Sequence, residues 1–492
     1  MIIETKRPEE EGVAPKALLD LLDQIDKDEN MEMHSLQILR NGSCILDCSW
    51  KPYSSKIPHA MFSLTKTMTS LAIGFAVDDG LLTLDDKMAD FFPEYADCGI
   101  DERMKRVRIR DLLTMRSGYF ENLSGCGYLS QLPDNLARNF LTRPLTYEPG
   151  EKFVYNSGST HMMSCIISKL TGMPEQMYLA EKLFRPLEMG TVMWDTDLNG
   201  NSTGAWGSYL TADQMAKLGQ FMLQKGNWDG NQLLSESWFD QMSYPHVQVE
   251  ESKAGYYYGY QVWIPGDNSY QADGAFGQII YVIPDFNSVL VMTRGIPNGG
   301  RDPMIGNSRD RGWIYTCVLE KAENHAIPLD EKNYEELRRR IETEYISQKE
   351  YGTEPEFCNG QRMYYQMNVN FDNITGIELE FWEKEIVFSI YDDKGIHSVH
   401  CGKGEWVTGH GDIPGKELHH NRYFEAMNLG ARASWTGEST LEISLAFLNL
   451  QSVDTIVCEL AGDKILYKRS VRFNGDGLPV KKGTISGIRR RF

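Results

Sequence analysis

Ser63 and Lys66 stand three residues apart in Phe62-Ser63-Leu64-Thr65-Lys66, where a long apolar helix is predicted to begin. That spacing puts a hydroxyl and an amine on one helix face. The positive end of the helix dipole, with burial against Phe62, Met68 and Leu71, favours the neutral amine. A neutral amine can take the serine proton, which is how a weak hydroxyl becomes a nucleophile. Taken alone the pattern is common in a chain of 492 residues. Ser63 as a helix cap beside a solvated Lys66 is the plain alternative.

A second candidate is Tyr147-Glu148-Pro149-Gly150-Glu151-Lys152-Phe153-Val154-Tyr155-Asn156-Ser157. A Pro-Gly turn feeds a short aromatic segment, read as extended, that ends in polar residues. Tyr155 is either a core tyrosine with a satisfied hydroxyl or a base helped by a nearby ammonium, for which Lys66 is a source. The third candidate is Ala272-Asp273-Gly274-Ala275-Phe276-Gly277-Gln278, ahead of a strong strand. Its glycines mark a hairpin turn or a close approach by a ligand or another backbone.

The elements that must position these residues follow from periodicity. Residues 14–28 predict a helix with Leu18, Leu21, Leu22 and Ile25 on one face. Leu36, Ile38 and Leu39 lead into the hairpin signal Asn41-Gly42, and the chain returns over Cys44–Cys48. The apolar helix spans about 62–79 and ends at Asp79-Gly80, a C-cap signal. Residues 81–95 read as a surface connection, and short helices and turns alternate to about residue 240. Tyr258–Ile264, Gln278–Ile283 and Val289–Thr293 are β-rich, and a helix follows over about 308–322. Strands from both ends with helices between them predict one sheet built from distant segments. Asp330–Ser347 reads as a solvated connecting helix. Beyond it Met363–Asn370, Ile377–Trp382, Ile386–Tyr391, Leu441–Leu448 and Asp454–Leu460 predict an antiparallel barrel or sandwich. The expected division is 1–325, a charged helical linker over 326–358, and an all-β unit over 359–492.

In this order and at these separations the three candidates resemble the serine β-lactamase and penicillin-binding-protein superfamily. The likeness is to its class C β-lactamase-like branch of esterases, amide hydrolases and D-peptidases. Asp79-Gly80-Leu81-Leu82-Thr83-Leu84-Asp85-Asp86, Asp111-Leu112-Leu113-Thr114-Met115-Arg116-Ser117-Gly118, Leu210-Thr211-Ala212-Asp213 and Tyr258-Gly259-Tyr260-Gln261-Val262-Trp263 also look like that branch. The resemblance covers roughly residues 30–320. It implies an α/β (α+β) fold, with a central antiparallel sheet flanked by helices and an all-helical subdomain. By position it implies that Ser63 is the acylated nucleophile, Lys66 its partner amine and Tyr155 a general acid/base. The backbone N–H groups of Ser63 and Ala275 match the two oxyanion-hole donors, worth about 3–4 kcal/mol each.

Two departures bear on substrate. The lactamases read Tyr-x-Asn where this chain has Ser157 in third place, with Asn156 expected to face elsewhere on an extended strand. They also read Lys-Thr-Gly where this chain has Ala272, Asp273 and Gly274. Ser157, Ala272 and Gly274 are therefore the expected substrate-contacting positions, without the cation that attracts a substrate carboxylate. Arg294, on the strand after the third motif, restores a cation if its side chain reaches the pocket; the alternative is a salt-bridged surface arginine. Lys481-Lys482-Gly483-Thr484 has the wrong order and lies far outside the segment.

The remaining signals narrow the field. Net charge is -19, which repels phosphate backbones and argues against nucleic acid as a partner. No apolar run reaches membrane-helix length and the N-terminus lacks a secretory pattern. Nine scattered cysteines without a Cys-x-x-Cys pair read as reduced thiols in the cytoplasm. His397, His400, Cys401, His410, His419 and His420 crowd one stretch, but their spacing matches no zinc template, so no metal or other cofactor is expected. The expected activity is two-step acyl transfer on a small ester, amide or short peptide. A D-peptidase or true β-lactamase, and a non-catalytic sensing module of the same fold, are the alternatives. The sequence leaves oligomeric state open.

Overall fold

The computed structural model describes residues 3–120, 135–250, 255–297, 307–346, 350–358, 360–419, 427–474 and 478–491. An eight-stranded sheet runs in the order Ser43–Ser49, Glu32–Arg40, Ser288–Gly295, Gln278–Ile283, Tyr270–Gly274, Trp263–Ile264, Tyr257–Tyr258, Val247–Gln248. Every neighbouring pair is antiparallel. The first hairpin thus lies beside Ser288–Gly295, a strand far along the chain, the joining of distant segments that the pattern implied. Its turn uses Asn41 at φ 50° and Gly42 at φ 83°, the left-handed pair a two-residue hairpin demands.

Strand alternation assigns each residue to a helix layer. Ile279, Tyr281, Ile283, Leu290 and Met292 share a core with Leu18 and Leu22 of the helix Pro15–Asp26. Their neighbours Ile280, Val282, Val289 and Val291 share the opposite core with Met68 and Leu71, and with Leu218 and Phe221 of the helix Ala212–Leu223. Strands covered on both faces divide their apolar side chains in this way.

The segment 258–264 is not one strand. Trp263 pairs back onto Tyr258 and Ile264 onto Tyr257, because the chain reverses between them with Gln261 at φ 62°. The charged helix, Glu331–Thr343, is not freely solvated either. Leu337 is buried in the core shared with Pro15–Asp26, and Arg340 pairs with Asp23, Asp26 and Glu344.

Nine strands then close into a barrel rather than a sandwich: Arg362–Met367, Gly376–Phe381, Glu385–Tyr391, Ile396–Lys403, Met427–Trp435, Thr440–Phe447, Val453–Ala461, Lys464–Val471 and Ile485–Arg490. Closure is a parallel pairing of Ile396–Lys403 with Met427–Trp435; the other neighbours are antiparallel. The barrel core extends to Ala60, Phe62, Tyr209 and Phe276, so the barrel abuts the segment that carries Ser63. Asn449 reinforces the contact: its Nδ2 donates to the Pro58 carbonyl at 2.7 Å, and its own carbonyl accepts from Ala60 N–H at 2.8 Å. No helix among the described residues is long and apolar enough to cross a membrane.

Candidate active site

Ser63 lies in a single 3-10 turn, Phe62–Leu64, that runs directly into the helix Thr65–Asp78. Phe62 holds φ 48°, a left-handed conformation uncommon for a bulky residue. Ser63 does not cap the helix. Leu64 occupies the cap position with no side-chain bond. Lys66 is 1% exposed, and its Nζ donates to Ser63 Oγ at 3.0 Å and to the Ala205 carbonyl at 2.7 Å. Burial without such bonds would be costly for an amine, so the two contacts fix its direction.

The same Nζ stands 5.1 Å from the Tyr155 ring centroid. Ser63, Lys66 and Tyr155 are therefore brought together around one nitrogen. Tyr155 is half-buried, stacked on Trp263 at 5.6 Å and edge-on to Tyr258 at 6.3 Å. Burial, with smaller contributions from Tyr155 and Asp273, pushes the Tyr258 hydroxyl well above the ordinary tyrosine range. Tyr258 is thus an uncharged wall of the site.

The segment around Tyr155 forms no strand. Asn156 caps the helix Ser157–Thr171, its Oδ1 accepting from Ser159 N–H at 3.1 Å. Ser157 becomes the first helical residue and is 2% exposed. Asn at a cap position before a serine-rich turn was the available signal. Gln261 binds the surrounding elements together. Its backbone carbonyl accepts from Thr67 Oγ1, its Oε1 accepts from Thr160 Oγ1, and its Nε2 donates to the carbonyls of Leu112 and Leu113. One residue so links the Ser63 helix, the Ser157 helix and the end of the helix Ile109–Leu113.

Gly274 is a close approach. A methyl group there would sit 2.1 Å from the Met61 carbonyl, although φ is an ordinary -111°. Only glycine lets the strand Tyr270–Gly274 end against the segment that carries Ser63. The next amide is that of Ala275, followed by Phe276 at φ 64° and Gly277 at φ 91°. A side chain on Gly277 would meet the Arg294 guanidinium at 2.3 Å. Ala272, two residues back, is fully buried in the core shared with the Ser63 helix.

Arg294 is neither at the surface nor a cation for the pocket. It is completely buried, ion-paired with Asp310, and donates from Nε to the Gly277 carbonyl at 3.1 Å. It braces the turn from beneath. The histidine-rich stretch of the barrel does not converge. His397 pairs with Asp392, His400 with Glu385 and His419 with Asp454, while His410 is exposed, Cys401 is buried and His420 lies outside the described residues. The Ala205 carbonyl and Gln261 as a tie were not legible as functional parts; Gln261 belongs to a recognised segment, but Ala205 lies in an irregular loop with no period.

The chain is 24% identical over 290 residues to the N-acetylmuramyl-L-alanine amidase of Bacillus subtilis (strain 168), an alignment covering 46% of this chain and 66% of that protein. It spans 42% of the length of a relative from Escherichia coli (strain K12) at 27% identity. Among solved structures, a penicillin-binding protein homologue from Caulobacter crescentus superposes with a TM-score of 0.51 at 15% identity, covering 64% of this chain and 99% of its own. A family VIII carboxylesterase gives a TM-score of 0.50 at 15% identity over the same shares. The family model described as Beta-lactamase matches residues 20–304, more than half of the chain and all three candidate segments. The chain belongs to the Beta-lactamase family.

Proposed function

We propose that the protein is a serine hydrolase that opens ester or amide bonds through an acyl-enzyme on Ser63. The observation that carries this reading is the 3.0 Å contact between Lys66 Nζ and Ser63 Oγ, in a lysine held from behind by Ala205. With the amine neutral, the contact runs from Oγ–H to Nζ, and attack on a carbonyl sends the serine proton to Lys66. The oxygen that becomes negative is received by the Ser63 and Ala275 amides. Tyr155 protonates the leaving group and then takes a proton from the water that releases the acyl group. No resident metal or other cofactor takes part in these steps.

The substrates are small, neutral esters or amides. Ala272 is buried and Arg294 is engaged with Asp310, so neither offers a cation to a carboxylate beside the scissile bond. Missing one charge-assisted hydrogen bond costs about 1.5–3 kcal/mol of affinity for such an anion. The test compares kcat/KM for p-nitrophenyl butyrate with that for a chromogenic cephalosporin. Higher efficiency on the ester supports the reading; cephalosporin turnover at the level of a dedicated lactamase overturns it.

A D-peptidase is the second reading, favoured by the name of the Escherichia coli (strain K12) relative, a putative D-alanyl-D-alanine carboxypeptidase. We place residues 1–325 as the hydrolase unit, 326–358 as its connection and 359–492 as a barrel that supports the site from Phe62 and Phe276. The described cysteines form no disulfide, which supports a reducing, cytoplasmic setting.

A further inference from the structure

We propose that His161, Cys165 and Asp197 bind a divalent metal ion of the zinc class, and that this ion clamps the loop that holds Lys66. His161 and Cys165 are one turn apart on the helix Ser157–Thr171, so their side chains share a face. Asp197 comes from the loop between Met193–Trp194 and Ser208–Leu210. All three are buried, at 2%, 3% and 7% exposure. Their donor atoms lie within 4.8 Å of one another.

The spacing is that of ligands on one ion. His161 Nε2 is 3.1 Å from Asp197 Oδ2 and 3.5 Å from Cys165 Sγ. A tetrahedral zinc at ordinary bond lengths separates nitrogen and oxygen ligands by about 3.4 Å, and nitrogen and sulfur ligands by about 3.5 Å. Hydrogen bonding serves the same trio poorly. One Nε2 faces both a thiol and a carboxylate. Protonated, it satisfies Asp197 and leaves the thiol hydrogen nothing to bond there; unprotonated, it meets the carboxylate lone pair to lone pair. A cation satisfies the three facing atoms, Nε2, Sγ and Oδ2, and its binding sends the Cys165 proton to solvent.

Donor type selects the metal. Thiolate and imidazole with one carboxylate suit zinc and disfavour magnesium and calcium, which take oxygen. Asp197 is pre-oriented for the task. Its Oδ1 accepts from the backbone N–H groups of Asn199 and Asn201, both at 2.9 Å, and Asn201 Nδ2 donates to Oδ2 at 3.0 Å. The Trp206 indole stacks on the His161 ring at 5.9 Å.

The loop from Asp197 to Trp206 reaches the Ser63 helix twice. Thr69 Oγ1 donates to the Gly204 carbonyl at 2.7 Å, and Lys66 Nζ to that of Ala205. An ion tying Asp197 to the Ser157 helix holds both carbonyls in place. His161, Cys165 and Asp197 are thus positioning residues. Metal binding stands apart from the reading of Ser63 as a nucleophile; only an effect on turnover depends on it.

The experiment strips the full-length protein with a chelator and titrates it with zinc and, separately, with cobalt(II), recording bound metal by mass spectrometry and the cobalt spectrum. About one equivalent of each metal is expected, with a tetrahedral cobalt spectrum and a thiolate charge-transfer band. Cys165→Ala should abolish that band and His161→Gln should weaken zinc binding at least tenfold, with folding checked by circular dichroism. Should one variant not fold, the other and the wild-type titration still decide. Substoichiometric binding of both metals by folded wild-type protein overturns the proposal. So does an unchanged charge-transfer band in folded Cys165→Ala, or unchanged zinc affinity in folded His161→Gln.

Discussion

The rings of Phe62 and Phe276 meet at 5.0 Å with a 58° angle between them, and both residues hold left-handed backbone conformations, φ 48° and 64°. Each is bonded directly to a residue whose amide is assigned to the oxyanion hole, Ser63 and Ala275. Two uncommon conformations are thus held by one aromatic contact, itself embedded in the barrel core. Strain of this kind persists only where surrounding packing determines it.

Phe276→Ala tests that relationship. Loss of the ring should cost about 3–5 kcal/mol of stability through cavity formation. At a temperature where the variant remains folded, kcat for an ester should still fall about 10²–10³-fold, the effect of losing one oxyanion donor. Stability and kcat measured on the same sample separate the two effects. A destabilised variant with wild-type kcat would show that the ring serves packing alone.

Tyr155→Phe keeps the stack on Trp263 and removes only the hydroxyl. Single-turnover acylation and deacylation should each slow about 10²–10⁴-fold, the usual worth of one general acid/base. KM and thermal stability should change little. An unchanged kcat would reassign Tyr155 to the aromatic wall with Tyr258 and leave Lys66 as the sole base.

Acid should weaken the fold through His59. Burial, reinforced by His34 at 3.1 Å, pushes its imidazole down to about 3. The unfolded chain binds the proton near pH 6.5, more tightly than the folded one does. Stability is therefore complete above about pH 6.5 and drains as pH falls toward about 3, reaching a loss of about 2 kcal/mol at pH 5. Denaturant unfolding between pH 7.5 and 5 should show a shallower loss for His59→Asn than for the wild type. Parallel pH profiles would remove His59 from the account of acid stability.

The geometry most legible in the sequence is local. Ser63 and Lys66 needed only helical spacing, and their 3.0 Å contact follows from it. The Asn41-Gly42 turn and the strand Gln278–Ile283 were equally plain, because turn chemistry and apolar runs act over a few residues. The partners of these elements were not. Ala205 holds Lys66 from a loop whose position depends on contacts to Ser164, Asp195 and Trp206. Ser157 opens a helix in place of the expected extended segment, because the Asn156 side chain caps that helix.

The barrel was legible in class and partly in its strands. Gly430, Ala431 and Ala433 make Met427–Trp435 look like a turn-rich stretch, whereas Ala431 and Ala433 face the barrel core and Gly430 lies on the other face, close against Pro52. Lys464–Val471 alternates exposed Lys464, Leu466 and Lys468 with buried Ile465, Tyr467 and Arg469, the last ion-paired with Asp454. The parallel closure between Ile396–Lys403 and Met427–Trp435 is a long-range register that no local pattern encodes.

The central claim, that Ser63 is the acylated nucleophile, is tested most directly by a fluorophosphonate probe read by intact mass and peptide mapping. Wild-type protein should gain one adduct on the peptide containing Ser63, with loss of ester hydrolysis in step. Ser63→Ala should gain none and keep its thermal stability within about 0.5 kcal/mol, since Ser63 caps no helix and its Oγ is a single small atom. An adduct on another serine, or ester hydrolysis retained above about a tenth of the wild-type rate in Ser63→Ala, a rise of under about 1.4 kcal/mol in the barrier, would contradict it.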